Sequence, residues 1–154
     1  AMDVLTANGD NADYTPFARH YHGVRVYLND GENNFVEAVF YPLNGAYKAL
    51  PVDFDGDGDL DIAAISFFPD YEKAPEESFV YLENEGDMAF VAWTFLAATD
   101  ARWLTMDAGD IDGDGDEDIV LGAFVRGASN VPPALEKRWQ REATSILILR
   151  NKHF

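Results

Sequence analysis

The most concentrated chemistry in the chain lies in two nine-residue stretches of matching pattern. Asp53-Phe54-Asp55-Gly56-Asp57-Gly58-Asp59-Leu60-Asp61 and Asp110-Ile111-Asp112-Gly113-Asp114-Gly115-Asp116-Glu117-Asp118 each set five aspartates at alternate positions. Carboxylates at that spacing repel one another unless a cation sits among them. The interleaved glycines let the backbone turn tightly, so that alternate carboxylates face inward. Hard oxygen donors at close range suit Ca²⁺, which takes about six to eight of them. Both stretches therefore read as calcium loops, giving two sites. An EF-hand or dockerin-type loop shares the first six residues of the pattern, but it needs an acidic twelfth residue and helical flanks. The twelfth residues are Ala64 and Leu121, and the flanks read as strand. A pair of solvated acidic turns without metal leaves two matched copies at one kind of strand junction unexplained.

The flanks follow from periodicity. Short alternating or apolar runs, separated by turn signals, dominate the chain. They predict strands over 4–8, 23–28, 34–41, 46–52, 61–67, 79–83, 89–96, 103–108, 118–124 and 145–150. Asn29-Asp30-Gly31, Asn84-Glu85-Gly86 and the two Asp/Gly loops read as turns. Only Pro133 to Glu142 reads as helix, opened by proline, with Leu135 and Trp139 on one face at i, i+4.

The chain also repeats itself. Asp61-Ile62-Ala63-Ala64-Ile65 aligns with Asp118-Ile119-Val120-Leu121-Gly122, 57 positions later. Met2-Asp3-Val4-Leu5-Thr6 aligns with Leu60-Asp61-Ile62-Ala63-Ala64. Val26-Tyr27-Leu28-Asn29-Asp30-Gly31 aligns with Tyr81-Leu82-Glu83-Asn84-Glu85-Gly86, and Phe35 and Phe90 each lie four residues past the glycine. Four short strands in about 40–60 residues are the pattern of a β-propeller blade. Each unit runs strand A, Asp/Gly loop, strand B, a long connection, strand C, a tight turn and strand D. The units span approximately 1–45, 46–100 and 101–154, with the content B-C-D, A-B-C-D, A-B-C. The expected fold is thus all-β, about two and a half to three four-stranded antiparallel blades. That number does not close a normal ring. The expectation is a piece of a larger propeller, or several copies assembled, since open blades expose strand edges that invite pairing.

With repeat and loop in hand, the sequence resembles the FG-GAP/VCBS-type repeats of integrin-like β-propellers over nearly its whole length. The D-x-D-x-D-G-x-x-D loop followed by an apolar strand is matched twice in full. Asp118-Ile119-Val120-Leu121-Gly122-Ala123 resembles the strand leading into the family's Gly-Ala-Pro element, with Phe124 replacing the proline. Unit two has Ile65-Ser66 there, so the name-giving element is degenerate while the loop is intact. The resemblance implies side-chain ligands Asp53, Asp55, Asp57 and Asp61 with the Asp59 carbonyl. In the second loop it implies Asp110, Asp112, Asp114 and Asp118 with the Asp116 carbonyl. Gly58 and Gly115 fall where a side chain is expected to obstruct the turn. Asp3 matches only the ninth position. The implied role of the metal is structural, pinning the A–B connection.

Composition narrows the partners. A formal charge of −17 argues against nucleic acid and anionic membrane, although the two loops alone hold eleven of the acidic residues. There is no cysteine, which excludes disulfide and thiolate chemistry. Apolar runs such as Ile146–Leu149 are far too short to span a membrane. No Gly-x-Ser-x-Gly elbow, Walker loop or recognisable catalytic triad is present. The expected function is non-catalytic binding and scaffolding, with a protein or glycan ligand. The competing class is a fragment of a calcium-dependent propeller enzyme such as a polysaccharide lyase. Calcium sites of the weak, structural kind work at about 10⁻⁴–10⁻³ M, which places the expected location outside the cell, at its surface or in the periplasm.

Recognition is expected in the long B–C connections, Gly9–His22, Phe68–Ser78 and Arg126–Thr144. On a propeller these gather on one face, opposite the A–B loops, and variable loops on a repeated scaffold commonly bind. Tyr14, His20, Tyr21, His22, Phe68, Tyr71 and Trp139 are the candidate contacts for a sugar or a protein. The alternative is that they pack the loops onto the blade edge. His20 and His22 could share a metal, but no third ligand is evident, so packed or surface histidines are the better reading. Lys137, Arg138 and Arg141 read as a solvated face or as partners for the acidic surface.

Overall fold

The structure, a computed structural model, describes residues 1–9, 19–125 and 131–152. Among these, ten strands form three antiparallel sheets. The first sheet orders β1 (Val4–Asn8), β2 (Gly23–Asn29) and β3 (Phe35–Pro42). The second orders β4 (Ala46–Val52), β5 (Asp61–Ser66), β6 (Phe79–Asn84) and β7 (Phe90–Trp93). The third holds β8 (Trp103–Gly109), β9 (Asp118–Ala123) and β10 (Ile146–Leu149), with β9 central. These are the expected B-C-D, A-B-C-D and A-B-C strand sets. Among the described residues no barrel closes, which is consistent with incomplete propeller blades. The repeat extends to irregularities: β4 slips register between Ala46 and Lys48, and β8 between Trp103 and Thr105, at equivalent positions.

The middle sheet explains why β5 is apolar without alternation. Its Ile62 and Ala64 enter one core with Val24, Val26, Leu43 and Leu82, against the first sheet. Its Ala63 and Ile65 enter a second core with Trp103, Met106 and Leu121, against the third. A strand covered on both faces has no solvent side to make polar, and all six residues of β5 are buried. At the strand's start, that burial takes Asp61 inside as well.

One strand end differs from expectation by more than one residue. The chain leaves the sheet after Trp93, not after Leu96. The Thr94 hydroxyl donates to the Phe79 carbonyl at 2.8 Å, which turns the backbone away into a 3₁₀ turn over Leu96–Thr99. Another 3₁₀ turn, Pro75–Ser78, precedes β6 and was not legible as a period. The helix α1 (Pro133–Glu142) forms where the sequence predicts it. No helix among the described residues is long and apolar enough to cross a membrane.

Candidate metal centre

The A–B corners of the second and third sheets carry the acidic loops. In the first, carboxylate oxygens of Asp53, Asp55 and Asp61 lie within 4.8 Å of one another; in the second, those of Asp110, Asp112 and Asp118 do. Backbone amides hold each loop in the same fold. Asp53 accepts from Gly56 N at 2.8 Å and Gly58 N at 3.1 Å. Asp110 accepts from Gly113 N at 2.6 Å and Gly115 N at 3.1 Å. Asp57 and Asp114 sit on the exposed turn outside these trios, each accepting from the amide two residues on, Asp59 N at 2.8 Å and Asp116 N at 3.1 Å. All donors are hard oxygens, a set that fits Ca²⁺.

Gly58 and Gly115 are required for a different reason than crowding. A Cβ at either position would meet nothing within 4 Å, but φ is +98° and +99°, a left-handed conformation. Gly58→Ala or Gly115→Ala is therefore expected to cost about 1 kcal/mol with no loss of packing, read as a shift in urea midpoint at constant slope.

The loops are electrostatically loaded. Lost hydration, followed by the charges of Asp61, Asp57 and Asp53, raises the Asp55 carboxyl above the ordinary carboxylate range against an opposing hydrogen bond from Asp57 N. Lost hydration and the charges of Asp114 and Asp118 raise Asp112 likewise, while Arg150 opposes. A cation among these groups would relieve the repulsion.

The ninth aspartate has a second role that sequence reasoning missed. Asp61 is fully buried and accepts from Phe54 N at 3.1 Å, Asn84 N at 2.8 Å and the Tyr81 hydroxyl at 2.7 Å. Burial, then the hydrogen bond to this carboxylate, holds the Tyr81 hydroxyl protonated well beyond the usual phenol range. Asp118, also fully buried, accepts from Ile111 N at 3.1 Å and Asn151 N at 2.9 Å. Asp3 accepts from Asn29 N at 2.8 Å. The ninth residue of each unit thus bonds an asparagine at the end of strand C: the last strand residue for Asn29 and Asn84, and two residues past β10 for Asn151. Those asparagines also work through their side chains. Asn29 donates to the Met2 carbonyl and Asn84 to the Leu60 carbonyl, each just before the ninth aspartate. Asn151 instead donates to the Phe54 carbonyl, inside the preceding unit's loop. The repeated Asn-x-Gly turn in the first two units was the available signal.

Four of the seven predicted recognition residues, His22, Phe68, Tyr71 and Trp139, are buried or half-buried against the protein. Tyr71 and Trp139 are buried and stack edge to face with centroids 5.5 Å apart. The buried Arg102 guanidinium lies 4.9 Å from the Phe67 ring and 5.8 Å from the Trp139 ring. Burial pushes the Tyr71 hydroxyl up to about 12, moderated by the Arg102 charge. Trp139 Nε1 donates to the Thr99 carbonyl at 2.8 Å, so helix α1 is docked against the 3₁₀ turn Leu96–Thr99. Arg138 pairs with Asp100 at 3.2 Å, and Arg141 with Glu142 at 2.8 Å, which makes both partners for the acidic surface. Phe68 is half-buried, edge to face against Phe67. His22 is buried, with Nδ1 3.1 Å from Asn44 Oδ1. His20 and Tyr21 are exposed and lie outside any strand. Tyr14 lies outside the described residues.

Three antiparallel sheets in blade order, with acidic corners between strands A and B, define a propeller-type repeat module. The family pattern of the FG-GAP-like repeat matches residues 1–64, which include the first sheet and the whole first loop. The second loop lies beyond that match and reproduces its geometry. No curated protein and no solved structure matches the chain.

Proposed function

We propose that the chain is a non-catalytic propeller module that binds two Ca²⁺ ions at its A–B corners and serves as a protein- or glycan-binding scaffold outside the cytoplasm. The observation that carries this reading is the matched convergence of three carboxylates at each corner, each trio resting on a buried aspartate tied to strand C. Asp57 and the Asp59 carbonyl would complete the first site, and Asp114 and the Asp116 carbonyl the second. The bound ion would neutralise the loop and lock the corner; no step of chemistry is asked of it. FG-GAP-like repeats are typical of extracellular proteins, and millimolar calcium there suits sites of modest affinity. The outer sheets expose Phe35, Val36 and Phe40 on β3 and Ile146 and Ile148 on β10, apolar area suited to further blades or copies. Isothermal titration with Ca²⁺ tests the metal reading. Two ions per chain are expected, and absence of binding at several millimolar would sink it.

A further inference from the structure

The two loops are alike in sequence but not in their surroundings. Arg150 Nη1 lies 3.1 Å from Asp112 Oδ2, a member of the second trio. The pairing of Ile62 with Leu82 and of Ile119 with Leu149 makes Glu83 the equivalent of Arg150 in the middle sheet. Glu83 is turned to Trp93, accepting from its Nε1 at 2.6 Å. Among the described residues, no ion pair reaches Asp53–Asp61. The neighbouring Asn151 N donates to Asp118, so residue 150 is delivered to the second loop by the same staple that orders it.

We propose that Arg150 is a resident counter-ion that makes the two loops unequal, so that loop 110–118 takes Ca²⁺ more weakly than loop 53–61. The inference rests on the calcium reading above. A cation entering the second loop must share Asp112 with the guanidinium or displace it, and it meets a positive charge either way. The Arg150 side chain is 60 % exposed, so displacement is open to it and the penalty is one of affinity, not exclusion. Glu117 returns one negative charge to this loop where the first has Leu60, but Glu117 is not part of the trio, whereas Arg150 touches Asp112 of the trio directly. A unit charge a few ångströms from a divalent ion in a water-like dielectric shifts its affinity about tenfold, and salt screens that shift.

The test is calcium titration calorimetry on the full chain with one loop disabled at a time. In an Asp53→Asn/Asp55→Asn background only the second loop binds, and adding Arg150→Gln is expected to tighten it about tenfold at low salt. Raising KCl to about 0.5 M should shrink that gain. In an Asp112→Asn background, where the first loop is read, Arg150→Gln should leave affinity unchanged. Equal tightening in both backgrounds, or none in the first, overturns the role of Arg150 while leaving the calcium sites standing. No binding in the unmodified chain overturns both readings together.

Discussion

Replacing Asp61 with alanine is expected to destabilise the protein by about 4 kcal/mol in excess chelator, and by more in calcium, because the first trio loses a member as well. The carboxylate is fully buried and satisfies three donors, the amides of Phe54 and Asn84 and the Tyr81 hydroxyl. Each buried donor left without an acceptor costs about 1–3 kcal/mol, with sharing between neighbours reducing the sum. For a domain of this size the change corresponds to about 8–16 °C in Tm. The contrast is Asp55→Ala. Asp55 sits in a half-exposed loop and its carboxyl is already raised by lost hydration and then by the neighbouring aspartates. Its removal should be nearly neutral in chelator and costly only in calcium. Tyr81→Phe in the Asp61→Ala background should recover part of the loss, because the orphaned hydroxyl is then gone. Thermal and urea unfolding of the set in both buffers decides the matter. An Asp61→Ala protein as stable as the parent in chelator would refute the staple.

Calcium itself should give the other large effect. An ion that binds only the folded chain stabilises it by mass action. With dissociation constants of about 10⁻⁴–10⁻³ M, about 10 mM calcium would add about 3–5 kcal/mol over two sites. That is a rise of roughly 10 °C in Tm. Magnesium at the same concentration should do less, since it demands a smaller octahedral cage and releases its waters reluctantly. Asp55→Ala and Asp112→Ala should each remove about half of the calcium gain, and together nearly all of it. Melting curves at matched ionic strength separate this from screening. A gain reproduced by KCl alone would mean that the loops are relieved by salt and hold no specific ion.

The strands, their order within units and the position of helix α1 were legible in the residues because those signals are local. Asp/Gly alternation marks a turn wherever it occurs, and period-two or unbroken apolar runs mark strands. The two acidic clusters were legible for the same reason, as their members lie within nine residues of each other, though the sequence offered four side chains at each and the structure gathers three. The boundary at Trp93 was not, because the Thr94 hydroxyl that ends β7 bonds to a carbonyl fifteen residues earlier.

The sequence by itself therefore determined the repeat, the blade-like strand sets and the two acidic corners. Only the tertiary structure decided what those corners are attached to. Asp61 reads in sequence as one carboxylate among five, and becomes a buried anchor because β5 is covered on both faces. Tyr71 and Trp139 read as loop aromatics that either face a ligand or pack the loops down, and they become core because Arg102 and Thr99 draw the two connections together. Arg150 reads as the end of a strand, and becomes a charge on a loop 38 residues away. In each case the deciding partner is distant in the chain. Burial and charge are set by what folding brings alongside a residue, and no local pattern records that.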